Sequence, residues 1–344
     1  MSCHAAYSRS VFRRLALLGA GTVLLLVLLI ADLAVGSSAL APREVVEALL
    51  AGPDAQGTAG IILWSIRLPM TATSFFVGTA LALAGLQIQN ITGNALASPS
   101  TLGITSAASF GAALSISFGA SLFGEIWIAT ALAALVMALL VSTAIYRLGS
   151  LRGMSPTTLI LAGIVMNFFF MALQQFLQYR ASPEVAQLIS GWTFGNLERS
   201  SWVSAGAAGI VTVFAFFVLI GRSWELTALT VGEERAKSLG INVRSLRIGV
   251  FFLASLLIAA AVGFIGTVSF VGLVAPHCAK LILGEDQRFL LPGTVLTGGI
   301  LMLMSSVAAK LLTTGAMLPV GIITSLVGVP FLLALLIRDR GGRN

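Results

Sequence analysis

Whole stretches of this chain carry no charge. Leu15 to Ile30 and Val250 to Ile265 are apolar on every side of a helix. A helix of a water-soluble protein keeps a polar stripe opposite its buried face, and a membrane-spanning strand alternates in polarity. These runs do neither, so they predict helices surrounded by lipid or by other apolar helices. Charged residues make up 10% of the chain, against roughly a quarter in soluble proteins. A span takes about 20 apolar residues, which leaves room for roughly ten spans once connecting loops are set aside. The expected fold is an all-α polytopic membrane protein, residues 1–344 forming one transmembrane domain. The 36 glycines suit close helix packing in lipid.

The first apolar run, Leu15 to about Val35, follows Arg9, Arg13 and Arg14. It exceeds the roughly 7 to 15 residues of a signal-peptide core, so it is expected to stay as the first span. The others are expected near 66–88, 95–119, 124–146, 156–179, 202–221, 248–267, 270–283, 289–311 and 320–337. The eighth is short and follows GFIGTVSFVG, which predicts a broken or re-entrant element inside the protein. With both termini cytoplasmic, fifteen basic residues fall inside and five outside (Arg43, Arg67, Arg180, Arg199 and Lys310), as the positive-inside rule requires. The formal charge of +7 therefore reads topology, and no nucleic-acid partner is expected. Segments 36–65 and 180–201 fall outside, the first with a short surface helix beginning at Pro42 and Glu44. Residues 222–247 form a charged cytoplasmic excursion. An inverted repeat relating spans two to five to spans seven to ten has no convincing residue-by-residue echo.

Apart from Glu125 at the very edge of the fourth, Asp32 is the one carboxylate inside an expected span, whereas proton- or sodium-driven carriers mark their path with intramembrane acids or histidines. There is no GxxxxGK[ST] phosphate loop, so energy is expected from a separate ATP-hydrolysing partner. His4 and His277 belong to no cluster with metal-ligand spacing, and Cys3 and Cys278 imply no disulfide. No metal, cofactor or catalytic centre is expected.

Polar residues with a pattern are few. Asn167, Met171, Gln174 and Gln178 recur at i, i+4, i+7 and i+11, within an arc of roughly 60° on one helix. They either line a pathway or glue helices together. Gln87, Gln89 and Asn90 precede Gly93 to Pro99, which reads as a helix stop. Gly232 to Asn242 reads as a short amphipathic helix with Ala236, Leu239 and Val231 on one face and Gly240 as its stop. That element is either a docking helix or merely a solvated loop.

Gly263 to His277, GFIGTVSFVGLVAPH, resembles the GxIxFVGLxxPH segment of the FecCD family of ABC importer permeases. The resemblance continues through Gly284 to Arg288, Leu291-Pro292, Leu318 to Ile322 and Gly328 to Phe331. Upstream, Arg67-Leu68-Pro69 is similar to the family's RLPR, Ala84 to Gln87 to its SGxxxQ, and Asn94 to Pro99 to its NPLAxP. Departures fall at Met70, Gly93, Ser305, Ser306, Lys310 and Met317.

The family imports iron–siderophore complexes, haem or vitamin B12. The resemblance implies a multi-pass permease of the bacterial cytoplasmic membrane with ten helices, a second permease subunit (homodimer or heterodimer), two ABC ATPase subunits and a periplasmic or lipid-anchored substrate-binding protein. It implies ATPase coupling at Gly232, Glu233, Glu234, Ala236, Leu239 and Gly240. Ser155, Pro156 and Thr157 match the family's cytoplasmic gate, although a Pro there also suits a helix first turn. Arg67 and Lys310 lie nearest the positions of arginines that dock the binding protein; Arg67 could equally anchor a helix end at the headgroups. An iron(III)-siderophore is the expected cargo, with haem, cobalamin or a stand-alone secondary transporter as alternatives.

Overall fold

The computed structural model describes residues 3–36, 42–53, 57–150, 155–313 and 317–340. The side chains of Cys3, His4, Arg152, Arg338 and Arg340 lie outside that description. The described residues form helices in the order α1 (Cys3–Ala34), α2 (Pro42–Ala51), α3 (Thr58–Ile61), α4 (Leu68–Thr92), α5 (Ile104–Ser117), α6 (Ile126–Ser150), α7 (Pro156–Arg180) and α8 (Pro183–Thr193). Next in the chain come α9 (Trp202–Gly221), α10 (Ser223–Val231), α11 (Glu233–Ser238), α12 (Val243–Ile265), α13 (Val271–Leu283), α14 (Gln287–Leu311) and α15 (Val320–Arg340). Seven helical segments are long and apolar enough to cross a membrane, and α5, α13 and the apolar part of α15 are shorter. Together they occupy the ten expected spans, with some boundaries moved.

The second span begins at Thr58 rather than near residue 66, because α3 runs through a π-helical turn, Ile62–Arg67, directly into α4. The third is shorter than expected. Residues 93–103 leave the helix at Gly93, whose φ of 60° closes α4, and α5 starts only at Ile104. Irregular backbone at such a depth is tolerated only where protein covers it. Here Ala97 and Leu102 are buried, and Ser98 and Thr101 bond each other through backbone and hydroxyl groups.

α4 is the central post, buried almost throughout from Pro69 to Thr92, with α14, α12, α13 and α9 packed round it. Two crossings depend on missing side chains. A Cβ on Gly85 would lie 1.6 Å from the Gly272 carbonyl oxygen of α13, and one on Gly78 would lie 2.5 Å from that of Gly298 in α14. Lipid tails are as apolar as leucine, so helices in a bilayer gain by such close backbone contact rather than by hydrophobic burial.

The expected irregularity around the eighth span is present. Residues 266–270 are non-helical, and α13 has 13 residues, about 20 Å of helix at 1.5 Å per residue. The turn after α8 is tied to both ends of this region: Asn196 N–H donates to Ile265 O (2.8 Å), Val320 N–H to Gly195 O (2.9 Å), and the Thr267 hydroxyl to Thr193 O. Beside the start of α4, the surface helix α2 appears where Pro42 and Glu44 predict it. The Trp64 indole donates to Ala48 O and the Trp202 indole to Trp64 O, clamping α2 and the start of α9 to the π-turn.

Candidate functional site

Three regions hold the polar residues singled out from the sequence. The first is the α10–α11 excursion, at the end of the bundle where α4 finishes. Glu233 opens α11 and accepts from Arg247 Nη2 (2.8 Å) and Lys237 Nζ (3.0 Å). Those hydrogen bonds, Arg247's first, hold the Glu233 carboxyl below its ordinary pKa, and Glu233 in turn raises that of Lys237. Glu234, Arg235 and Lys237 are exposed. Gly232 and Gly240 flank the helix at φ of 134° and 81°, with open space around each.

Ala236 corrects the expected docking face. It is fully buried in the chain's own core, whereas Leu239 and Val231 are 56% and 55% exposed. α11 ends at Ser238 and Leu239 caps it, so the chain turns before helical periodicity can bring Leu239 over Ala236. The outward apolar surface consists instead of Trp224, Val231 and Leu239.

The second region is α7. Its amides are engaged by neighbouring helices: Ser106 of α5 bonds Asn167 Oδ1, while Gln174 Nε2 donates to Thr193 Oγ1 (3.0 Å) and Gln178 Nε2 to Ser190 Oγ (3.2 Å) of α8. Met171 is 39% exposed. The stripe thus ties α7 to α5 and α8. Asn167 also borders a cavity of about 270 Å³ with Asn94, Ala97, Thr101, Ile164 and Phe168. A larger cavity, about 530 Å³, lies among Thr193, Phe194, Thr267, Ser269, Ser325 and Leu326. It sits where 266–270 and the start of α15 meet the end of α8. The spacing of Thr267, Ser269 and Ser325 gives no sequence signal for this cavity, because it is assembled from three separated segments. At the start of α7, Ser155 caps the helix by accepting from Thr158 N–H (3.3 Å), Pro156 occupies the first turn and Thr157 is exposed. Residues 151–154 before them lie outside the described residues.

The third region overturns the assignment of Arg67 and Lys310 to a docking surface. Both are buried. Lys310 Nζ lies 2.8 Å from Asp32 Oδ1 and donates to the Asp32 carbonyl. Thr71 donates to Asp32 Oδ2, and Arg67 donates to the carbonyls of Leu33 and Ala34 at 2.7 and 2.9 Å. The cause is electrostatic. Asp32 is wholly buried on α1, an unpaired carboxylate there would cost several kcal/mol, and the nearest cations turn inward to it. Arg67, on the π-turn, caps the carbonyls that α1 leaves unbonded at its end. The signal was present: one intramembrane acid calls for a cation at the same depth, and Lys310 stood in the span opposite.

Two further cations, Arg247 buried and Lys280 half-buried, make contacts that the sequence did not single out. Arg247 of α12 donates from Nε to Ile91 O (3.1 Å), and Lys280 of α13 donates to Gln89 Oε1 (3.0 Å). His277 packs edge-on against Phe331. No group of three metal-ligating side chains occurs among the described residues.

A model of the FecCD transport family matches residues 24–338. The chain is 37% identical over 284 residues to the cobalamin import system permease protein of Halobacterium salinarum, covering 82% of this chain and 75% of that one. It is 34% identical over 289 residues to the iron(3+)-hydroxamate import system permease protein of Bacillus subtilis, covering 82% and 72%. Among solved structures, a transporter described as metal-chelate type, in an inward-facing conformation, aligns with a TM-score of 0.81 at 30% identity, over 94% of this chain and 99% of that one.

Proposed function

The chain belongs to the FecCD transport family, and on that premise we propose that it is the transmembrane permease subunit of an ABC importer carrying a metal chelate. Its cargo in this reading is an iron(III)-siderophore, and a second permease subunit completes the translocation unit. Two ATPase subunits supply energy, and a periplasmic or lipid-anchored binding protein delivers substrate. Both termini face the cytoplasm.

The observation that carries the reading is the α10–α11 surface. It exposes the apolar side chains of Trp224, Val231 and Leu239 and, on α11, the charged ones of Glu234, Arg235 and Lys237. Exposed large apolar side chains on a solvated excursion mark a protein contact. Lipid contact would favour an unbroken apolar face instead. A carrier working alone would need a free intramembrane acid, and Asp32 is neutralised by Lys310.

Substrate in this reading passes along the cavity bordered by Thr193, Thr267, Ser269 and Ser325, whose hydroxyls lie among apolar side chains. Such a wall holds a bulky chelate by shape and weak polar contact rather than through metal ligands. Docking of the binding protein falls to α2 and to α8 with the turn after it, since Arg67 and Lys310 are spent inside the protein. Ser155, Pro156 and Thr157 serve as part of the opposite gate.

The test is ATP-dependent uptake into proteoliposomes holding the permease, its ATPase subunits and its binding protein. Radiolabelled ferric hydroxamate, haem and cyanocobalamin are offered separately. Uptake of the ferric hydroxamate alone supports the reading. Uptake of haem or cobalamin instead retains the permease and replaces its cargo, and uptake without ATP or partners makes the chain a carrier in its own right.

A further inference from the structure

Arg247, on α12, bonds α4 and α11 at once. It sits near the start of α12, and its side chain is 7% exposed. One edge of its guanidinium, Nε, donates to Ile91 O at 3.1 Å, and Nη2 donates to Glu233 Oε2 at 2.8 Å. Ile91 lies in the last turn of α4, where carbonyls lack intrahelical partners. Glu233 is the first residue of α11. The planar guanidinium presents its donors as a rigid fork, so the two acceptors are held at a fixed separation.

The segment beyond α4 makes that separation consequential. Gly93 ends the helix, and residues 93–103 cross the protein without regular structure, with Pro99 against Gly272 of α13. The end of α4 therefore sets where this segment starts. A displacement of α11 reaches α4 through Glu233 and Arg247 without passing along the chain. The contact is also costly to break, because a buried guanidinium that loses its carboxylate stays buried and uncompensated.

We propose that Arg247 is the positioning residue that carries movement of the α10–α11 surface to the end of α4 and to residues 93–103. The inference rests on the reading of that surface as the ATPase contact. Arg247 itself touches neither partner nor cargo; it acts through Glu233 and Ile91.

Hydrogen exchange read by mass spectrometry on the full permease in nanodiscs, with and without its ATPase subunits, separates the possibilities. In the wild-type protein, ATPase docking is expected to slow exchange in residues 223–240 and, at a distance, in residues 89–103, by about threefold or more in each. In Arg247→Gln the slowing at 223–240 persists while that at 89–103 falls below about 1.5-fold. Should Arg247→Gln fail to insert, Arg247→Lys decides: it keeps the charge and loses the fork, and at least half of the effect at 89–103 should vanish. Equal slowing at 89–103 in wild type and variant overturns the inference, as does its absence from the wild type. No slowing at 223–240 in the wild type would instead overturn the docking surface, a separate failure.

Discussion

A carboxylate within a bilayer has to be neutralised or paired, and Asp32 is paired by Lys310 with Thr71 on its second oxygen. Lys310→Met takes away the cation in contact with that buried charge, and the expected loss is about 3–5 kcal/mol, seen as a lowered unfolding temperature in detergent. Asp32→Leu combined with Lys310→Met should recover most of it, because an apolar pair costs no desolvation. If the double variant is no better than the single one, the pair does not account for the burial of these residues. Glu233 carries a pH consequence. Its folded pKa lies below its ordinary value because Arg247 and then Lys237 bond the carboxylate. The stabilisation of α11 is therefore fully present above the ordinary glutamate pKa and is lost as pH falls through the lowered one. Amide protection in 233–238 should persist down to the glutamate range and fade below it, whereas Glu233→Gln should remove the pH dependence. Ala236→Trp belongs at this scale too: with Ala236 fully buried, the bulk strikes the chain's own core, and overpacking costs about 1–3 kcal/mol. Loss of thermal stability should accompany any loss of ATPase binding.

Helix α4 is positioned by what its neighbours lack. A methyl group at Gly85 would overlap the Gly272 carbonyl and one at Gly78 would meet that of Gly298. Neither obstacle is a flexible side chain, so Gly85→Ala should separate α4 from α13 and sharply reduce the yield of folded protein, whereas Gly206→Ala, with nothing within 4 Å of its added carbon, should be tolerated. The comparison is read by size-exclusion profiles after extraction. On α11, Leu239→Asp places a charge in the exposed apolar surface and should abolish co-purification with the ATPase while leaving the thermal unfolding of the permease unchanged. Retained co-purification would place the contact elsewhere. The helices themselves are largely written in local patterns: Ser155, Ser182 and Asn242 cap α7, α8 and α12 with their own side chains, and the long apolar runs allow little else in lipid. Boundaries at the π-turn and at 93–103 escape such reading, because tertiary cover decides whether the backbone there can leave the regular helix.

Across the whole molecule, the larger cavity gathers residues from α8, from 266–270 and from α15. Ser325→Trp should fill it, stopping ATP-dependent uptake while ATPase and binding-protein assembly persist; unimpaired uptake would move the pathway. That the chain is helical, spans a membrane about ten times and belongs to an importer family was determined by the sequence, since uncharged runs of span length have few solutions in lipid and the motifs from Arg67 to Phe331 are contiguous strings. Pairings between distant side chains left no such trace. Arg67 and Lys310 have the composition of exposed docking cations, yet Asp32 draws Lys310 inward and the carbonyls at the end of α1 take Arg67. The amides of α7 have the spacing of a pathway, and hydroxyls from α5 and α8 take them as helix contacts. Ala236 and Leu239 share a face only if α11 continues, and it stops. Charge, spacing and periodicity are properties of a segment, while burial and partnership depend on what other segments bring to the same place, and only the tertiary structure decided those.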